Sequence, residues 1–273
     1  MRLINRRPEA GFGRLLMIVP FVLVVLTYLV ASAARLAENP ADKLLPSPAS
    51  MMAAMGRMAF EADKRTGDIL LWVDSSASLS RILAALAIAT AISLVLGIAI
   101  GLLPYLRSLM GGFVAVISVV PPLALLPILF IVLGLGETSK IALIVIGVAP
   151  FLTRDLALRV SELPPQQIFK AQTLGASSWQ LVLRVVLPQL LPRLIDGLRL
   201  SLGPAWLFLI AAEAIASESG LGFRIFLVRR YLAMDVIIPY VIWITLLAFL
   251  MDRLLVLLQV RAFPWFAGAR ATA

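Results

Sequence analysis

The 273-residue sequence predicts an all-α polytopic membrane protein of about six transmembrane helices, and three observations carry that reading. Apolar residues make up 61% of the chain and charged residues 14%, whereas soluble domains average about 45–50% apolar and about 25% charged. Three long runs, Leu15–Ala34, Ile82–Leu106 and Ser108–Gly136, contain no Asp, Glu, Lys or Arg, and a bilayer core of about 30 Å takes roughly 20 such residues as helix. Basic residues also concentrate in alternate connecting segments, the asymmetry that orients membrane helices.

Composition also removes whole classes of chemistry. With no Cys and no His, the chain has no disulfide, no thiolate nucleophile, no sulfur-ligated metal, no imidazole base and no imidazole metal ligand. The net charge of +9 fits the basic loops of a membrane protein, and no soluble basic face argues for a nucleic-acid partner.

The elements follow in chain order. Arg2, Arg6, Arg7 and Arg14 lead into the first apolar run, Leu15–Ala34. A basic start followed by an apolar stretch and Ala31-Ser32-Ala33 also imitates a cleaved secretory signal, but the run is longer than a signal core and makes the span count even. Glu38–Arg81 is read as an outer soluble segment, with Ser47 as N-cap and Pro48 opening a short helix. Met51, Met52, Met55 and Met58 recur there at helical spacing, either as a packing face or as an adaptable binding face. Ile82–Leu106 is the second span. Ser108–Gly136 is the third, and Pro121, Pro122 and Pro127 predict a kink or re-entrant stretch within it. Ile141–Thr153, Leu200–Ala212 and Val236–Met251 are shorter runs. They span only with polar ends, which belong inside a bundle rather than against lipid. The expected division is 1–81 (tail, first span and outer segment), 82–260 (a core with a cytoplasmic loop, 159–193) and 261–273 (a second tail).

Six spans put both termini on one side. With the termini inside, the cytoplasmic segments hold fourteen Lys and Arg against ten outside, which predicts cytoplasmic termini in the plasma (inner) membrane.

The most informative stretch is Ser161–Gly203. Pro164-Pro165 ends the preceding element, and Gln166–Leu174 then reads as a short helix with Ile168, Ala171 and Leu174 on one face. Gly175 breaks it. Trp179, Leu181, Val182, Val185 and Val186 mark a second helix ending at Leu187-Pro188. A short helix, a Gly hinge and an amphipathic helix form a knob that fits a groove on a cytoplasmic partner, although a plain helical linker fits the pattern as well.

At these residues the sequence resembles the permease subunits of type I ABC importers. Their cytoplasmic signature is Glu-Ala-Ala, three residues, Gly, nine residues, then Ile-x-Leu-Pro. Here nine residues separate Gly175 from Val185-Val186-Leu187-Pro188, while Phe169 and Lys170 stand at the Glu and first Ala positions and Ala171 at the second Ala. The resemblance extends through Asn39-Pro40, Leu44–Pro48, Ser78–Arg81, Gly197-Leu198-Arg199 and Ser219–Gly222. Leu174–Trp179 and Gly197–Trp206 are similar to the nitrate/sulfonate/taurine branch, and Ala205–Tyr240 to its urea-carboxylase-associated group, for which urea or guanidine compounds have been considered.

The resemblance implies the type I importer permease fold and transport of a small polar solute by alternating access. It implies two permease copies, as a homodimer, with two ABC ATPase subunits and an extracytoplasmic solute-binding protein. The residues expected at the ATPase contact are Gln167, Lys170, Ala171, Gln172, Thr173, Leu174, Gly175, Ala176, Leu187 and Pro188. ATP and Mg would sit on the partner ATPase, since no Gly-x-x-x-x-Gly-Lys-Ser/Thr string occurs and Gly134–Lys140 has the wrong order. The chain itself is expected to bind no cofactor and to catalyse no reaction.

Charge near the membrane is the remaining pointer. Glu213 follows the uncharged run of the fifth span, where ionisable residues face a cavity or a partner. It is expected to latch the outer mouth by pairing with Arg224, Arg229 or Arg230, or else to contact solute or lie at the interface. Trp206, Ser217 and Glu218 join it as candidates for the solute path or gate. Tyr240 and Trp243 either line the path or anchor the interface, and Arg154 and Asp155 pair locally. An ion-coupled carrier would require coupling acids near mid-membrane and paired halves, and a non-transporting scaffold would have no use for the Gly175 hinge.

Overall fold

A computed structural model describes residues 10–40, 42–64 and 66–266. Arg2, Arg6, Arg7 and the end of the chain from residue 267 lie outside the described residues. Among the described residues, all regular structure is helical: α1 (Ala10–Glu38), α2 (Pro48–Phe60), α3 (Leu70–Leu102), α4 (Pro104–Ile117), α5 (Leu126–Leu133), α6 (Glu137–Ser161), α7 (Pro165–Thr173), α8 (Ser178–Leu181), α9 (Leu187–Ala216), α10 (Leu221–Arg229) and α11 (Met234–Ala262). A 3₁₀ turn at Pro122–Leu125 precedes α5, and a π-type turn at Val182–Val186 joins α8 to α9.

Among the described residues five helices are long and apolar enough to cross a membrane, or six if α4 and Pro122–Leu133, bent by 82° at the break between them, count as one span. The bend falls at Pro121-Pro122, as the sequence predicts, because neither residue has an N–H to continue the ladder. Both boundaries of the second span differ from the sequence reading. α3 ends at Leu102 because Pro104 drives Leu103 to an extended conformation (φ −98°, ψ 109°). More consequentially, α3 begins at Leu70 rather than near Ile82, so Asp74, Ser75, Ser78 and Arg81 are buried helical residues and not part of an outer loop. Counting uncharged residues misplaced the helix start, because these polar groups are buried in the bundle against partners on other elements, Arg224, Trp243, Glu213 and Glu137.

α6 is the axis of the packing. On one side it meets α3 across Gly97 and Gly101, where a Cβ would fall 2.7 Å from Leu156 Cβ at the first position and against Val160 at the second. Two glycines four apart let the backbones approach. On the other side Gly147 lies under Phe208 of α9, and Gly197 of α9 lies under Leu152 of α6. One apolar core runs from Leu71 and Ile82 through Leu143 and Leu209 to Tyr240. A second, around Leu156, Leu181 and Leu190, sits at the end that carries α7.

α1 stands apart, with Phe21 75% and Val24 71% exposed, as suits a helix facing lipid. It is tied at its C-terminal part by Tyr28 Oη donating to Pro46 O (2.7 Å) and Ser32 Oγ to Leu45 O (3.0 Å). The helix runs unbroken through Ala31-Ser32-Ala33, and Ser32 is buried against the following segment. α2 has the expected cap, Ser47 Oγ accepting from Ser50 N at 3.1 Å with Pro48 at the first position. Met55 and Met58 pack against the core while Met52 is exposed, so the methionine stripe is a packing face at those two positions.

Candidate functional site

Two clusters occupy opposite ends of α9, whose 30 residues extend about 45 Å. At its C-terminal end the chain turns through Ser217–Gly220 into α10. Gly220 has φ 131°, and its turn aims three successive amides at buried acceptors: Gly220 N to Asp74 Oδ1 (3.0 Å), Leu221 N to Ser78 Oγ (2.9 Å) and Gly222 N to Glu213 Oε2 (2.9 Å). These are the otherwise unpaired donors of a helix N-terminus, where carboxylates are favoured.

Glu213 is completely buried and paired on every side. Arg81 Nη1 donates to its Oε1 at 2.7 Å, and Ser78 Oγ lies 2.8 and 2.9 Å from its two oxygens. The expected latch therefore has a different partner: Glu213 pairs with Arg81 of α3 and not with Arg224, Arg229 or Arg230. Arg224 instead holds Asp74, with Nε 2.8 Å from Oδ2, while Arg229 stacks over Phe226, 4.9 Å from the ring centroid. Burial disfavours the Arg224 cation, but the hydrogen bond and charge of Asp74 outweigh it, and its pKa lies above the ordinary value.

Arg81 links three elements. Its Nε and Nη2 form a fork on Glu137 of α6 (2.5 and 2.8 Å), while Nη1 also reaches Ser219 O (2.7 Å). Lys140 Nζ donates to the same Glu137 at 2.8 Å. Arg81 and Lys140 are buried, whereas the Glu137 side chain is 58% exposed. Tyr240 Oη reaches Asp74 at 3.4 Å and Trp243 Nε1 donates to Ser75 Oγ at 2.8 Å, binding α11 into the same network.

The other sequence candidates at this end separate. Trp206 is a core residue, 4% exposed, and its Nε1 has no partner among the described residues. Tyr240 is likewise core and not an interface anchor. Ser217 Oγ is buried with no partner among the described residues, and Glu218 is exposed. Sequence reasoning missed Asp74, Arg81, Glu137 and Lys140. Asp74, Ser78 and Arg81 recur at helical spacing just before a long apolar run, and that one-faced polar stripe was a legible signal.

At the opposite end, α7 closes on a Schellman turn: Ala176 N donates to Ala171 O (3.0 Å) and Gly175 N to Gln172 O (2.9 Å), with Gly175 at φ 80°. Ser177 then caps α8 in a reciprocal pair with Gln180. The second helix does not stop at Leu187-Pro188, contrary to the sequence reading. The π-type turn at Val182–Val186, closed by Leu187 N to Val182 O, absorbs the missing N–H and ring of Pro188, and the helix continues into α9.

Ile168 and Ala171 face inward on the second core, but Leu174, placed by periodicity on the same face, is 87% exposed because the chain has left the helix there. Gln167, Phe169, Lys170, Gln172, Thr173, Leu174 and Gly175 form an exposed edge, while Ala171, Ala176, Leu187 and Pro188 are half-buried beneath it. Gln189 Nε2 bonds Gln167 Oε1 at 2.9 Å, coupling α7 to the first turn of α9.

Residues 89–263 match the model of the family described as binding-protein-dependent transport system inner membrane component. The taurine transport system permease protein TauC of Escherichia coli (strain K12) is 40% identical over 198 residues, 72% of each chain. The nitrate import permease protein NrtB of Synechocystis sp. (strain ATCC 27184 / PCC 6803 / Kazusa) is 26% identical over 81% of each. The inward-facing MetNI methionine ABC transporter superposes with TM-score 0.55 at 20% identity, over 70% of this chain and 95% of that one, which establishes a shared fold. With more than half its length matched and a relative at 40% identity, the chain belongs to the binding-protein-dependent transport system inner membrane components: it is a multi-pass permease of an ABC importer, a transport subunit and not an enzyme, working with ATPase and binding-protein partners.

Proposed function

We propose that this permease imports a small solute bearing an oxyanion, of the taurine, sulfonate or nitrate kind, with its α7 end in the cytoplasm and its α10 end outside. The solute class is supported by the names of TauC and NrtB, and by two buried cations, Arg81 and Lys140, at the α10 end. The orientation is supported by the excess of basic residues in the segments on the α7 side. Both termini are then cytoplasmic, and two copies of the chain form the path as a homodimer.

The observation that carries the coupling role is the exposed edge Phe169, Lys170 and Leu174, held out by the Gly175 turn. Phe169 and Leu174 present apolar surface at a loop that lies beyond the bundle, where a partner groove and not lipid covers them. ATP and Mg bind to the ATPase partners. Nucleotide-driven closure moves α7, and α9 carries the movement to the Glu213–Arg81 latch. An ion-coupled carrier is disfavoured because Glu213, the buried acid of the fifth span, already has a cation within 2.7 Å.

The experiment is reconstitution of the permease with its ATPase and binding protein in proteoliposomes, comparing ATP-dependent uptake of taurine, nitrate, methanesulfonate, urea and guanidinium. Uptake of one or more of the first three supports the reading. Uptake confined to urea or guanidinium overturns the solute class, and uptake without ATP overturns the importer mechanism.

A further inference from the structure

Beside the latch lies a cavity of about 490 Å³, lined among others by Arg81, Gly136, Glu137, Lys140, Ser217 and Ser219. Its chemistry is unusual in three respects. Arg81 is anchored from behind by Glu213 and Ser219 O, so its guanidinium holds its position whatever happens at the Nε/Nη2 edge. That edge presents a two-pronged donor to Glu137, the geometry that matches any planar or tetrahedral oxyanion. Finally, the carboxylate occupying the fork is 58% exposed while both of its cations are buried.

We infer, building on the oxyanion-import reading above, that this cavity is an anion-binding station of the permease, in which Glu137 is a displaceable stand-in for the solute. With Glu137 in place, the charges of Arg81 and Lys140 are balanced by Glu213 and Glu137. When Glu137 swings out to water, the buried groups carry one net positive charge, which suits a monoanion. The incoming sulfonate or nitrate accepts the fork from Arg81 and a hydrogen bond from Lys140 Nζ. Ser217 borders the cavity; its Oγ, buried with no partner among the described residues, turns toward the solute and supplies a further donor. Glu218 also borders the cavity, but it is exposed and its charge is solvated.

This arrangement gives an exchange mechanism without any new buried charge. The resident carboxylate keeps Arg81 and Lys140 paired while the station is empty, avoiding the penalty of unpaired buried cations. Because the solute must outcompete Glu137, its affinity is held low enough for release.

The test measures equilibrium binding of radiolabelled methanesulfonate to the permease–ATPase complex in lipid nanodiscs, without binding protein. Glu137→Gln removes the competing charge at an exposed position and is expected to tighten binding at least about tenfold. Ser217→Ala, added to that variant, is expected to weaken it about threefold, with Lys140→Gln costing more. Equal or weaker binding to Glu137→Gln than to wild type overturns the station, as does guanidinium binding that is lost in Glu137→Gln. Binding and uptake fail separately: tightened binding with no anion uptake overturns the import reading alone, and anion uptake with unaltered binding overturns the station alone.

Discussion

A Cβ on Gly220 would lie 2.5 Å from Glu213 Cδ and 2.7 Å from Arg81 Nη1. The turn after α9 is therefore built directly against the ion pair, with no room for a side chain between this backbone and the carboxylate and guanidinium. Gly220→Ala meets both the close approach and a φ of 131°, a conformation that costs a residue with a Cβ about 1–3 kcal/mol before any clash. The expected result is a fall in thermal unfolding temperature of the detergent-solubilised permease, together with loss of coupled transport. Unchanged melting and transport would show that the turn relaxes without cost.

Gly175 poses the opposite problem. Nothing lies within 4 Å of its added Cβ, yet φ is 80°, so the demand is conformational and not steric. Gly175→Val is expected to abolish stimulation of ATP hydrolysis by the loaded binding protein while leaving the folded permease in the membrane, since a β-branched residue rejects the left-handed region. Gly175→Asn, which tolerates that region, should retain much of the stimulation. Equal behaviour of the Val and Asn variants would remove the Schellman turn as the cause.

How much of this was legible in the sequence depended on whether a signal was local. The Ser47 cap, the Pro121-Pro122 break and the Gly175 turn all rest on one residue's own backbone chemistry, and each was read correctly. Leu174 and the continuation through Pro188 were misread because periodicity assumes a helix that neither ends early nor widens into a π turn. The partner of Glu213 was missed for a different reason: Arg81 is 132 positions away, and counting charges to find the membrane excluded it from the span that holds it. A buried charge is tolerated only when paired, so the polar stripe Asp74, Ser78 and Arg81 had partners elsewhere in the chain, and sequence alone did not name them.

The orientation is directly testable because the native chain has no Cys. Single Cys residues at Ser178, exposed on α8, and at Glu61, exposed at the end of α2, should differ in access. An impermeant maleimide added to intact cells is expected to label Glu61→Cys at once and Ser178→Cys only after permeabilisation. The reverse pattern would invert the chain in the membrane and with it the assignment of α7 to the ATPase side.

The latch itself yields the sharpest prediction. Glu213 takes donors from Arg81, Ser78 and Gly222, which join α3, α9 and the start of α10 at one buried point. Removing one partner of a buried pair costs about 3–5 kcal/mol when the other charge is stranded. Here Arg81 retains Glu137 at 2.5 Å, so Glu213→Gln should weaken the closed arrangement without unfolding it. The expected readout is a several-fold rise in basal ATPase activity of the reconstituted complex, with uptake affinity little changed because solute meets the Glu137 side of Arg81 and not the Glu213 side. Glu137→Gln should do the converse, shifting uptake affinity more than basal hydrolysis. The double variant strips Arg81 of both carboxylates, so its effect should exceed the sum of the two single changes, because residues that share a partner couple. Loss of uptake affinity in Glu213→Gln with normal basal hydrolysis would place solute on the buried carboxylate and refute the latch.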